Sequence, residues 1–196
     1  MGRRSADEVR ACAIAGAAEC FRELGIASTS VDDIVAVSGV ARSTLYRHIG
    51  DRNDLLLAVT LAEIDDLQAE LVKRADAGGS VVDLLVEGVL DAVDLVQSAT
   101  VLHELVTSPA LITSEVSDHA MQSLVARLHD FVGPLLEDPA IRPDLDPDVA
   151  VEFLVRTITS LVTLGVRGEP SPATRRNYLR QTLGPVFVAD EVLADV

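Results

Sequence analysis

Apolar residues recur along this chain at intervals of three and four, the spacing of a helix face, and no segment alternates at period two over a strand's length. Val9, Cys12, Ala13, Ala17, Cys20, Phe21 and Leu24 form the first stripe. Ser5 with Glu8 three residues on has the spacing of a capping box at its start, and Gly25 stops it. Thr29 or Ser30 opens a second helix carrying Val31, Ile34 and Val35, which Ser38-Gly39 breaks. Val40, Leu45 and Ile49 belong to a short third helix that Gly50 ends. Two helices of seven or eight residues joined by a turn with Gly form the helix-turn-helix pattern.

The rest of the chain is predicted helical too. A long helix over Asp51 to Ala77 ends at Gly78-Gly79, Ser80 opens another to about Ser98, and a short one covers Val101 to Thr107 before Pro109. The next runs from about Thr113 to Glu137 and is expected to be disturbed at Gly133-Pro134, because proline lacks a backbone donor. The Pro- and Asp-rich stretch Asp138 to Pro147 reads as a linker. Helices over Asp148 to Arg167 and Ala173 to about Ala189 follow, with a bend at Gly184-Pro185. The expectation is an all-α protein of about nine helices, with a three-helix helix-turn-helix domain over 1–50 and a larger helical domain over 51–196.

Charge changes this picture. Across 196 residues, 16 Lys+Arg stand against 31 Asp+Glu, a net −15. That balance excludes a protein that coats nucleic acid nonspecifically or lies on an anionic membrane. Only 3% of residues are aromatic, which leaves few platforms for stacking single-stranded bases. The acidity is uneven: residues 1 to 55 hold seven basic and eight acidic residues, net −1, and the remaining −14 lies beyond. Two regions with different tasks follow from that asymmetry. Cys12 and Cys20, eight apart on one helix, are roughly 12 Å from each other and form no disulfide. The apolar stretch Ala11 to Ala18 has acidic residues on both sides and reads as a helix face, not a signal. The run Leu55 to Ala62 falls far short of the roughly 18 residues of a membrane span. A soluble, cytoplasmic protein with no membrane partner is expected.

Within the helix-turn-helix, Ile34, Val35, Val40 and Leu45 are the packing set and Gly39 the turn. Arg42, Ser43, Thr44, Arg47 and His48 are left to face outward. Short hydroxyl and basic side chains on that helix suit base edges and phosphates in the major groove of a duplex. The stretch from Arg10 to Leu56 resembles the tetracycline-repressor (TetR) family of bacterial transcriptional regulators, on AGAAECFRELG (15–25), TSVDD (29–33), GVARSTLY (39–46) and RHIGDRNDLL (47–56). The resemblance implies phosphate contacts from Thr29 and Ser30, a backbone contact from Tyr46, and phosphate or base contacts from Arg47 and His48. Arg52 stands where that family usually has Lys and would bind a phosphate in bidentate fashion. Ser43 occupies a position often Gly, and Ile49 replaces the usual Phe.

The same resemblance implies a homodimer on a palindromic double-stranded operator, released by a small apolar or amphipathic effector. The dimer would form through the last two helices, whose apolar residues (Val151, Leu154, Val155, Ile158, Leu161, Val162; Tyr178, Leu179, Leu183, Val186, Phe187) exceed what one face needs. His103, Met121, Phe131, Phe153 and Thr157 are the candidate pocket residues. The spacing of His119 and His129 and the lack of an H-E-x-x-H around His103 speak against zinc, and no cofactor is expected. No G-x-S-x-G elbow or Gly-rich phosphate loop occurs, so the chain is not read as an enzyme. The rival reading is a helical small-molecule-binding or interaction protein with a vestigial DNA motif, against which Tyr46, Arg47 and Arg52 argue.

Overall fold

The structure, a computed structural model, describes residues 5–74, 79–108, 111, 115–165 and 171–189. Among these residues there are nine helices: α1 (Ala6–Leu24), α2 (Val31–Ser38), α3 (Arg42–His48), α4 (Arg52–Arg74), α5 (Val81–Ser98), α6 (Val101–Thr107), α7 (Glu115–Leu136), α8 (Pro147–Leu164) and α9 (Pro172–Phe187). No strand forms among them; the one extended pairing is an isolated antiparallel bridge between Ile141 and Val188. The chain divides into two compact units, one drawn from residues 1–65 and 98–121, the other from 66–97 and 122–196.

In the first unit the local sequence signals hold. The Ser5 hydroxyl accepts the Glu8 N–H at 3.1 Å while the Glu8 carboxylate accepts the Ser5 N–H at 2.7 Å, the reciprocal cap that starts α1. Ser30 and Asp33 make the same box at the start of α2. Gly39 closes α2 in the left-handed region at φ 63°, where a side chain would be strained. Phe21, Ile26, Ile34, Leu45, Leu55 and Leu56 are at most 2% exposed and form the core of this unit. Gly16 of α1 is also buried, and a Cβ there would stand 2.6 Å from Cβ of Ser38. Glu63 of α4 closes the start of α6: its carboxylate accepts the N–H groups of Thr100, Val101 and Leu102, the last at 2.7 Å. These are three donors that a helix start leaves without intrahelical partners. The same unit contains α6 packed on α1.

The second unit packs α5, α8 and α9 around Val86, Leu154, Leu179, Leu183 and Phe187, with the Phe153 and Phe187 rings 6.0 Å apart at 60°. Two expectations are corrected here. Val151, Leu154, Val155, Leu179, Leu183 and Phe187, assigned above to a dimer face, are at most 5% exposed within the single chain; their apolar stripe is covered by the chain's own helices. Tyr178 is 45% exposed, and Ile158, Leu161, Val162 and Val186 are half-buried. The stretch 138–147 is no linker either. Ile141 is 7% exposed, and the Arg142 N–H donates to Phe187 O at 3.0 Å while that of Ala189 donates to Ala140 O at 3.1 Å. Pro134 and Pro185 lie inside α7 and α9. Both fall within three residues of the helix end, so each interrupts the ladder where few bonds remain. The expected end of the long fourth helix at Ala77 and Gly78 lies outside the described residues.

Candidate functional site

Leu45 of α3 is fully buried, and Ile34 and Val40 before it are buried too. That fixes which side of the short helix meets solvent. Arg42, Ser43, Tyr46 and Arg47, spaced i, i+1, i+4 and i+5, are all exposed and form one surface strip. Thr44 and His48 flank it and are half-buried. Arg42 pairs with Asp32 of α2 through Nη1 and Oδ1, and its guanidinium carbon lies 5.7 Å from the centroid of the Tyr46 ring. The bond to Asp32, and after it the contact with Tyr46, push the guanidinium's pKa still higher. Arg47 Nη2 is 3.4 Å from Nε2 of His48. Arg10 of α1 donates to the His48 carbonyl at 3.4 Å, which brings a further cation to the C-terminal end of α3. Nothing in the spacing along the chain connects positions 10 and 48, so sequence reasoning missed it.

Three residues expected at phosphates have internal partners. The Thr29 hydroxyl donates to Cys20 O at 3.1 Å and Gly25 O at 2.9 Å, its N–H bonds to Gly25 O at 3.2 Å, and the residue is 3% exposed. Thr29 therefore packs the connection between α1 and α2, and a phosphate contact through its hydroxyl would cost both of these internal bonds. Ser30 is exposed, with its hydroxyl in the capping box; that box holds the Asp33 carboxyl below its ordinary pKa. Arg52 donates from Nε to Thr29 O at 3.0 Å and from Nη2 to Ile26 O. A guanidinium has five N–H groups, so donors remain for a phosphate.

The second unit holds a cavity of about 340 Å³. Leu71, Leu84, Gly88, Phe131, Val132 and Leu135 give it apolar walls, and Arg74, Asp83, Glu87 and Asp91 supply its charged lining. A smaller space shares those walls and continues among Leu85, Val89, Leu128, Leu154 and Ile158. The carboxylates are paired: Asp91 with Arg74 at 2.9 Å, Glu87 with Arg176 at 2.5 and 2.9 Å, and Asp83 with Arg180. The bidentate bond from Arg176 holds the Glu87 carboxyl below its ordinary pKa. Among the residues expected in a pocket, Phe131 lines this cavity. Phe153 packs on Phe187 instead, the Thr157 hydroxyl donates to Phe153 O in its own helix at 2.8 Å, and His103 and Met121 belong to the other unit. Gly88 was not anticipated. A Cβ built on it meets nothing within 4 Å, so this glycine enlarges the cavity. No group of three or more His, Cys, Asp or Glu able to hold a metal occurs among the described residues, and no helix among them is long and apolar enough to cross a membrane.

Residues 13–59 match the family described as bacterial regulatory proteins, tetR family. The uncharacterized HTH-type transcriptional regulator YezE of Bacillus subtilis (strain 168) is 35% identical over 77 residues, which cover 37% of this chain and 40% of that protein. The chain thus aligns with less than half the length of that relative. The HTH-type transcriptional repressor KstR2 of Rhodococcus jostii (strain RHA1) is 24% identical over 144 residues, 70% of each protein. The fold is shared with a tetR regulator of Streptomyces fradiae, tylp, with a TM-score of 0.64 and 20% identity over 98% of this chain and 92% of that one. It is shared too with FadR of Bacillus subtilis in complex with stearoyl-CoA, at a TM-score of 0.64 and 17% identity over 88% and 96%.

Proposed function

We propose that this chain, whose residues 13–59 match the tetR family of bacterial regulatory proteins, is a member of that family and a repressor that binds a palindromic operator as a dimer and leaves it when a small effector is bound. The observation that carries this is the strip on α3. In a chain of net −15, the helix after the turn exposes Arg42, Ser43, Tyr46 and Arg47 side by side, held outward by Leu45. The head would comprise residues 1–50, and the body, 51–196, would carry the effector and dimer surfaces in the cytoplasm. One such head covers too few base pairs for useful specificity, so two related by symmetry would read half-sites about one helical turn apart. Repression is supported by the name of the Rhodococcus relative. The half-buried Ile158, Leu161, Val162 and Val186 with exposed Tyr178 are what the last two helices would offer a partner.

Selection from a random duplex pool with the full chain tests the reading. The enriched sequence should be an inverted repeat of that spacing. A protein that enriches nothing at moderate salt is not a sequence-specific regulator.

The effector we propose is apolar or amphipathic, because the cavity has leucine, valine and phenylalanine walls with a charged lining at Arg74, Asp83, Glu87 and Asp91. The stearoyl-CoA held by the FadR neighbour supports a ligand of this character. Effector binding would lower operator affinity through a coupling of about 1–3 kcal/mol. Gly88 provides a test that needs no knowledge of the natural effector. Gly88→Ala should raise stability by about 0.5–1 kcal/mol, since alanine favours the helix and its Cβ meets open space. Gly88→Leu should fill part of the cavity and weaken binding of the neutral dye Nile red about tenfold, equivalent to about 1.4 kcal/mol. Equal dye affinity in the two variants would place the ligand elsewhere.

A further inference from the structure

Asp32 has no part in the readings above. It lies in the first turn of α2, and its Oδ1 accepts from Nη1 of Arg42, the first residue of α3. The two side chains are 76% and 54% exposed, and ion pairs this open add little to stability. What the pair does is fix the position of a guanidinium. A cation in the first turn of a helix meets the positive end of its dipole, and Ala41 at the N-cap of α3 offers no side-chain bond. Within α3, Tyr46 is the residue that holds Arg42, its ring centroid 5.7 Å from the guanidinium carbon. Asp32 supplies a countercharge and an anchor from the preceding helix. Arg42 is held at Nη1 by Asp32 and against Tyr46 on the other side, and a guanidinium has five N–H groups, so donors remain beyond those that hold it. Such a fork, fixed before contact, matches the paired acceptors O6 and N7 of guanine in the major groove. Released from that countercharge, the Arg42 guanidinium would reach phosphates instead and bind them whatever the sequence.

We propose that Asp32 is a positioning residue that determines specificity: it holds Arg42 for reading a base edge and suppresses nonspecific binding to the backbone. This rests on the reading of α3 as the helix that enters the groove.

The test uses the full chain and the duplex that wild-type protein enriches from a random pool. Affinity is measured for that duplex and for a scrambled one of the same composition, with Asp32→Ala, Arg42→Ala, the double variant and Asp32→Glu. Asp32→Ala should bind the scrambled duplex more tightly and the enriched one no more tightly, so that the ratio of the two affinities falls about tenfold, the order expected for one good base contact. Arg42→Ala should lower the ratio by a similar factor, and the double variant no further, because Asp32 acts through Arg42. Asp32→Glu should recover most of the ratio, with the melting temperature of all four variants close to wild type. An unchanged ratio in Asp32→Ala overturns the proposal. So do independent, additive losses in the double variant, which would make Asp32 a bulk charge. A wild-type protein that enriches no sequence overturns the underlying DNA reading itself, before any variant is made.

Discussion

Gly16→Ala should lower the melting temperature of the first unit by about 10 °C. Its Cβ would stand 2.6 Å from Cβ of Ser38 and 2.9 Å from the Cα and N of the same residue. Those last two atoms are backbone, so no rotamer change relieves the contact; α1 and the end of α2 must separate. Overpacking of this kind costs about 1–3 kcal/mol, and the gain in helix propensity, about 1 kcal/mol, offsets only part of it. Two backbone atoms in the contact put the cost at the upper end of that range, so the net loss is about 2 kcal/mol, large against the few kcal/mol that hold a small unit together. Circular dichroism melting measures it, and hydrogen exchange should place the loosening in α1 and α2. Gly88→Ala is the internal control, since it inserts the same methyl into a helix with open space beside it. A midpoint for Gly16→Ala at or above that of Gly88→Ala would mean that α1 and α2 have slack where they cross.

These two glycines also mark the limit of what the sequence discloses. Both lie in helical patterns, and nothing along the chain distinguishes one pressed on a neighbour's backbone from one that opens a cavity. Caps were legible because their partners are three residues apart: Ser5 with Glu8 and the αL turn at Gly39 needed no tertiary knowledge. Glu63 on the N–H groups of residues 100 to 102 was not, because the cap comes from a helix some 37 to 39 residues earlier. Periodicity likewise showed that α8 and α9 have wide apolar faces but not what covers them. Leu154, Leu179 and Phe187 are covered by the chain itself, so the argument that surplus apolar residues demand a partner loses most of its members. The outward strip of α3 was legible because a seven-residue helix with one buried leucine has only one way to lie. In the cavity only Phe131 was anticipated, since a pocket is formed by residues that converge from distant segments.

Arg52→Ala is the second large expectation, and it divides two roles that the sequence could not separate. The residue reads as a phosphate contact, yet its Nε and Nη2 donate to the carbonyls of Thr29 and Ile26, tying the start of α4 to the connection between α1 and α2. Thr29 is buried and Ile26 is 1% exposed, so removal of the guanidinium leaves two carbonyls short of a donor in a place water reaches poorly. Charge-assisted bonds to such groups are each worth about 1.5–3 kcal/mol. Because Arg52 itself is half-buried, a total of about 3 kcal/mol at the low end of that range is the expected loss in chemical denaturation. Arg52→Lys should recover less than half, since one ammonium cannot reproduce a planar fork on two acceptors. Arg47, exposed on α3, offers the contrast: Arg47→Ala should leave stability unchanged and reduce the slope of log affinity against log salt by about one per subunit. Arg52→Ala should show the opposite profile, a large fall in stability with a smaller change in slope for the fraction that remains folded. If it melts like wild type and takes a full unit off the slope, the guanidinium works mainly at the phosphate, and the two carbonyl bonds are incidental to the fold.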